Sequence, residues 1–518
     1  MRRPRIPMFV VALASACALG GCGGEARRPA PPRADELVIG LASVPVHLDS
    51  RLGTDQASDW VFELMLEGLF DKTSDGTLVP GLATSYDVLD GGRRYRFHLR
   101  DNARFHDGRP LTARDVAYTY GTILDGSIKS PKRGALGPLD HVVAVDPRTV
   151  DFVMREPWGA LTYNLTAGIG ILPAGTSPEE MERHPIGSGP FRFVRKTPDR
   201  VELAGWSEHP IWKPRLRRVV MREVPDATVR ALELEKGSVQ LVVNDFPPDT
   251  NALFARKPGF RVLQSPGSTY VYLGMNLEDP VSGDPRVRRA IALAIDRPRL
   301  IRTVWRGQGR PTETLLPPGN FARDEALAPI PHDPAAAARL LEEAGYRDPD
   351  GAGPRPRLRI TYKVSNNDLS LLQAQAIQEM LAEAGIQAEI RSYEFATFYA
   401  DVKRGSFQMF SLTWTAVAEP DLYRNLFHSS SIPPKGANRG RYRSAAADRL
   451  IEEGGRRFLD AERRPYYFEL QALLQRDLPY VSLLTRDTVS VMLDGLEGYV
   501  NYPGGEIYAV RTAHWRGR

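Results

Sequence analysis

The chain of 518 residues has only two cysteines, Cys17 and Cys22, both within its first 22 residues. Whatever folds beyond them has no disulfide, no thiol nucleophile and no cysteine-based zinc or iron–sulfur site. Long apolar runs are missing as well. Past the N-terminal segment the longest is Ala290–Ile295, far short of the ~20 residues that span a bilayer. Charge of one sign is scarce: Lys plus Arg exceed Asp plus Glu by only 68 − 63 = 5. Three of those cations, Arg2, Arg3 and Arg5, lie in a segment read below as removed. No concentrated basic excess is left to drive nucleic-acid binding. Also absent are the serine-hydrolase elbow G-x-S-x-G, the zinc helix H-E-x-x-H, the phosphate loop and the dinucleotide G-x-G-x-x-G. What is present is a globular composition, 42% hydrophobic and 25% charged, on a chain long enough for two to four domains.

The N-terminus carries the most specific local signal. Met1-Arg2-Arg3-Pro4-Arg5 is cationic, and Met8 to Leu19 is an apolar stretch too short for a stable membrane span. Together they read as an export signal. It ends in Leu19-Gly20-Gly21-Cys22, which resembles the bacterial lipobox, in which the cysteine is diacylated and becomes the mature N-terminus. Residues 1–21 are then a lipoprotein signal peptide and Cys22 the lipidation site. Residues 22–34, rich in Pro, Gly and Arg, are a flexible tether. The expected location is the periplasmic or cell-surface side of a bacterial membrane, with attachment through the lipid alone.

From Asp35 onward helical and strand periods interleave. Leu37–Gly40 and Arg94–Leu99 read as strands, and Ser58–Phe70 as a helix with Val61, Leu64, Met65 and Leu69 on its apolar side. From Pro285, residues Val287, Ile291, Ala294 and Ile295 recur at i, i+4, i+7 and i+8, one helical face. Asp333-Pro334 opens another helix that Gly345 closes. A strand over Leu358–Val364, a helix over Leu369–Ala384 and a strand over Gln387–Ser392 follow. Such alternation predicts an α/β fold with a partly parallel sheet.

Most residues that invite a chemical reading support a plainer one. His98 and His106-Asp107 lack a third metal ligand in view, and His106-Asp107-Gly108 reads as a turn. Asp348-Pro349-Asp350-Gly351 begins like a calcium loop, but the twelfth position is Arg359 where a bidentate Glu is needed. In Lys213–Arg222 the arginines alternate with Leu216, Val219 and Met221, the pattern of a sheet strand and not of a nucleic-acid platform. No catalytic residue, metal site or cofactor is expected.

Several motifs in order carry a resemblance. Asp87–Val116, with YRFHLRDNARFHDGRPLTARDV, is similar to the most recognisable segment of family 5 extracellular solute-binding proteins, the peptide- and nickel-type binding components of ABC importers. Leu66-Glu67-Gly68-Leu69 with Pro80-Gly81-Leu82-Ala83, Pro185–Phe191, Gly274-Met275-Asn276 with Asp284–Ala290, Ala294–Arg297, Leu340–Gly345 and Leu473–Leu483 continue the series. On physical grounds these motifs are mostly scaffold: turns at Pro80-Gly81 and Asp107-Gly108, and glycines 187 and 189 that let the backbone bend.

The resemblance implies a two-lobed periplasmic-binding-protein type II fold, hinged, with an extra domain inserted in the first lobe. Lobe I is expected at 35–78, 186–269 and 489–518, the insert at 79–185 and lobe II at 270–488. The hinge is expected near Tyr270–Leu273, whose Tyr270 and Tyr272 then reach the ligand, and near Arg486–Val489. In the family a Trp is followed about three residues later by an Asp that pairs with the α-amine of a bound peptide. Here Trp414 is followed by Thr415 and, in the place of that Asp, Val417. Either Glu419 or Asp421 is displaced into that role, or the ligand has no free amine there. Asn438 and Arg439 are further cleft candidates. The implied function is capture of a peptide or related small solute by a monomer and its delivery to permease subunits served by cytoplasmic ATPases, with no nucleic-acid partner. A metal-chelate binder is the alternative, and an exported hydrolase the one from another class.

Overall fold

The computed structural model describes residues 35–517 apart from 167 and 352. The expected signal peptide, Cys22 and the expected tether lie outside the described residues. One mixed sheet of 11 strands runs through both lobes. Its backbone is two long strands, Phe260–Met275 and Tyr480–Leu493, paired antiparallel almost throughout.

On one side of that pair lie Met409–Trp414, Leu358–Ser365 and Ile386–Tyr393; on the other lie Leu241–Val243, Glu36–Leu41 and Arg218–Glu223, followed by Arg200–Gly205 and Phe191–Thr197. Leu358–Ser365 runs parallel to Ile386–Tyr393, and Glu36–Leu41 parallel to Arg218–Glu223, as strand–helix–strand spacing requires. The arginine-rich stretch is the sheet strand expected, with Arg218 paired to Glu36 and Glu202.

Caps fix the helices where the sequence places them. Asp284 accepts the Arg286 N–H and starts Pro285–Ala294, whose Val287, Ile291 and Ala294 are buried. Asp333 does the same for Pro334–Glu343. The first helix is shorter than its apolar period predicts: it spans Gln56–Met65, and Phe70 instead opens the strand Phe70–Lys72. Gly187 and Gly189 explain the stop. A Cβ on Gly187 would lie 2.0 Å from Met65 O, and one on Gly189 2.6 Å from Met65 C. These glycines serve close approach to a helix end, and the chain bends at Gly189 as expected.

Burial separates the chain into apolar cores. One gathers Leu37–Leu66, Leu172–Phe254 and Val491–Trp515. A second spans Leu69–Ile171 around a four-stranded antiparallel sheet, formed by Ala83–Leu89, Arg94–Leu99, Thr149–Met154 and Leu139–Asp146, with the helix Ala113–Leu124 against it. Two more lie between Tyr270 and Leu484. The inserted unit thus begins packing at Leu69 and ends at Ile171.

The two long strands lose their register between Ser265, opposite Thr488, and Thr269, opposite Arg486. Pro266 has no N–H to give the ladder. Gly267 passes so close to Arg486 that a Cβ would lie 2.3 Å from its carbonyl oxygen. The ladder therefore breaks at 265–269, just ahead of Tyr270–Leu273, and opposite Arg486–Thr488, inside the expected Arg486–Val489 stretch.

Candidate functional site

Trp414 ends its strand directly opposite Tyr270, at the hinge end of the second-lobe sheet. Thr415 and Ala416 are exposed, and Ala416 takes the left-handed φ of 50° that turns the chain. Val417 is buried, and its N–H donates to Ser268 O at 2.9 Å, which fastens this loop to the hinge.

Behind Trp414 stands an aromatic box. The Arg439 guanidinium lies 4.6 Å from the Trp414 ring centre and 5.0 Å from that of Tyr399. Its Nη1 donates to the Tyr272 hydroxyl at 3.1 Å and its Nη2 to the Tyr399 hydroxyl at 2.9 Å. Tyr272 stacks on Tyr480 at 4.1 Å, and the Tyr270 hydroxyl pairs with Ser482 Oγ at 2.7 Å. Tyr270 and Tyr272 are core side chains, 2% and 0% exposed. Burial raises both hydroxyls above the ordinary tyrosine range, so they remain neutral donors. Asn438 is a loop staple: Nδ2 donates to His428 O and Tyr442 O, and Oδ1 accepts the Tyr442 N–H.

The two carboxylates that could replace the missing aspartate are both engaged. Glu419 forms a buried ion pair with Arg463. Burial pushes Glu419 up, with Arg463 opposing it; burial also works against the Arg463 charge, but Glu419 and then Tyr467 outweigh it and hold the guanidinium ionised. Asp421 Oδ2 accepts the indole N–H of Trp158, from the inserted domain, at 3.2 Å. Its Oδ1 is buried with no hydrogen-bond partner. Neither Arg463 nor Trp158 was singled out from the sequence, because DAERRPYYF reads as a solvent-facing helix and Trp158 sits in a loop 263 residues from Asp421.

Charged groups gather around Tyr163 of the insert. Burial raises its hydroxyl first; Lys72 then lowers it, and Glu506 and Glu419 add to the rise. Lys72 Nζ lies 5.3 Å from the Tyr163 ring centre and 3.4 Å from Glu506 Oε1. A concavity between the first lobe and the insert is lined by Glu63, Asp71, Trp212, Tyr508 and Arg511 among others, and a second lies within the second lobe behind Tyr270 and Tyr480. Trp414 lines neither.

The histidines weighed as metal ligands are accounted for by local partners. His98 Nε2 meets Asp87 Oδ2 at 3.0 Å across neighbouring strands. His106 uses both ring nitrogens on the backbone: Nε2–H donates to Gly189 O at 2.9 Å, and Nδ1 accepts the Gly187 N–H at 3.2 Å. Among the described residues no group of three or more His, Cys, Asp or Glu is placed to hold a metal ion. No described helix is long and apolar enough to cross a membrane.

Two lobes joined by a pair of crossing strands, with a cleft wall at the hinge and a domain inserted in one lobe, define a hinged binding protein. Residues 77–433 match the bacterial extracellular solute-binding proteins, family 5 Middle, and the chain belongs to that family. It is an extracytoplasmic substrate-binding component of an ABC importer and binds its solute without chemistry. It is 28% identical over 543 residues to the oligopeptide-binding protein AppA of Bacillus subtilis, with 98% of each chain covered. It is 27% identical to the glutathione-binding protein GsiB of Pectobacterium atrosepticum, over 91% of this chain and 92% of that one. The structure of Bacillus subtilis AppA in complex with a nonapeptide superposes with a TM-score of 0.75 at 25% identity, over 94% of this chain and all of the other.

Proposed function

We propose that this chain is anchored by a lipid on Cys22 and captures a peptide or peptide-like solute between lobes that close about residues 265–269 and 486–488. It hands that solute to a membrane permease driven by cytoplasmic ATPases. The oligopeptide and glutathione relatives support a peptidic solute. Trp414 and Thr415 form the second-lobe wall, with Arg439, Tyr272 and Asn438 holding that wall from behind.

One observation carries the specificity: no carboxylate stands at the place three residues after Trp414. Val417 occupies that place, Glu419 is closed by Arg463, and Asp421 is turned toward Trp158 of the insert, which leaves its buried Oδ1 as the one carboxylate oxygen an amine could compete for. A buried ammonium without a counter-charge is costly, so the wall gives a free α-amine little. Mass spectrometry of the solute retained by the natively purified protein identifies the peptide, and calorimetry then compares it with its N-acetylated form. Acetylation is expected to weaken binding less than about tenfold, or roughly 1.4 kcal/mol. A loss of about a hundredfold or more contradicts the reading; repeating the titration with Glu419→Gln, Asp421→Asn and Glu506→Gln would then identify the carboxylate that holds the amine.

A further inference from the structure

The inserted domain does not stop at the lobe that carries it. Its loop 155–160 reaches lobe II, and the contact is backbone against backbone. The Gly159 N–H donates to Gly455 O at 3.1 Å. A Cβ on Gly159 would lie 1.8 Å from Arg457 O and 3.2 Å from Arg463 Cδ, so no other residue fits at this spacing. Beside it Trp158 Nε1 donates to Asp421 Oδ2 at 3.2 Å. The Trp158 carbonyl is itself held at 2.8 Å by the Tyr95 hydroxyl of the insert's sheet, and the ring packs in the insert's core. From the other side, Phe458 of lobe II meets the insert where a Cβ on Gly92 would be 3.0 Å away.

We propose that this contact is a latch by which the inserted domain docks on lobe II and biases the two lobes toward closure before any solute is bound. Trp158 and Gly159 are its positioning residues. The two-lobe closing motion is taken from the reading above; the latch itself needs no particular solute. Its consequence for binding is a population effect. A solute that takes the closed state has its apparent affinity reduced by whatever fraction of the protein is open, so residues that never touch it set part of its affinity. The latch also gives Asp421 a task that does not involve a ligand amine.

The test uses solute-free protein. In a Cys17→Ser, Cys22→Ser background the chain has no other thiols. Val143→Cys on the insert and Leu372→Cys on lobe II, both exposed, then take a pair of spin labels for a dipolar distance distribution. The unmodified contact should give a short-distance component that Gly159→Val depletes about tenfold. Phe458→Ala, which adds no atoms, should deplete it in the same direction and covers the case in which Gly159→Val does not fold. Absence of the short component with the contact intact, or its persistence in Phe458→Ala, overturns the latch. If acetylation shows that Asp421 does hold an amine while Gly159→Val still opens the protein, the specificity reading falls and the latch stands.

Discussion

Moving Arg463 and Glu419 out of water costs several kcal/mol per ion, and their attraction offsets that only while both are present. Arg463 is 1% exposed and Glu419 9%. Arg463→Met should therefore destabilise the protein by about 3–5 kcal/mol at neutral pH, because it strands a buried carboxylate. Burial already raises Glu419, so acid neutralises it early, and the deficit of Arg463→Met should shrink as pH falls. Urea unfolding of Arg463→Met and of the double variant with Glu419→Gln checks this: the double variant should recover most of the loss. Equal destabilisation of the two would show that packing of the Arg463 stem, and not its charge, is what matters.

His106 ties an insert motif to a lobe motif, and it does so as a neutral ring. Burial lowers it to about 4, against 6.5 unfolded, with Arg192 and His209 adding to the drop and the Gly189 carbonyl opposing it. The unfolded chain binds the extra proton between those values. Stability from this group is complete above pH ~6.5 and lost as pH falls toward about 4, some 3 kcal/mol in all. His106→Asn should flatten the wild-type loss of urea stability across that window; an unchanged pH slope would count against it. Elements of this kind were partly legible beforehand. A 3.6-residue apolar period from Pro285 announced Pro285–Ala294, and alternation over Leu358–Val364 announced Leu358–Ser365. The pairing of His106 with Gly187 and Gly189 was not legible, because glycine in a sequence signals freedom and close approach alike. The break in the ladder at Pro266 and Gly267 was not singled out either, and Tyr270 and Tyr272, expected to reach the ligand, are core side chains instead.

At the scale of the whole molecule, the ordered motifs of Asp87–Val116 and its companions made the family plain, while the site stayed obscure because Glu419 and Asp421 meet Arg463 and Trp158 only after folding. The proposed lipid anchor on Cys22 belongs to this scale too. On that proposal Cys22→Ser should abolish metabolic labelling with fatty acid and release the protein from membranes, since the diacyl group would supply nearly all its bilayer affinity; a labelled Cys22→Ser protein would refute the assignment. The central claim is that solute is bound by closing one lobe on the other about the crossing at 265–269 and 486–488. Ligand shifts such an equilibrium by its preference for the closed state. Small-angle scattering, with and without a saturating amount of the peptide recovered from the native protein, tests it most directly. A smaller radius of gyration with peptide is predicted, and an unchanged radius at saturation would contradict closure.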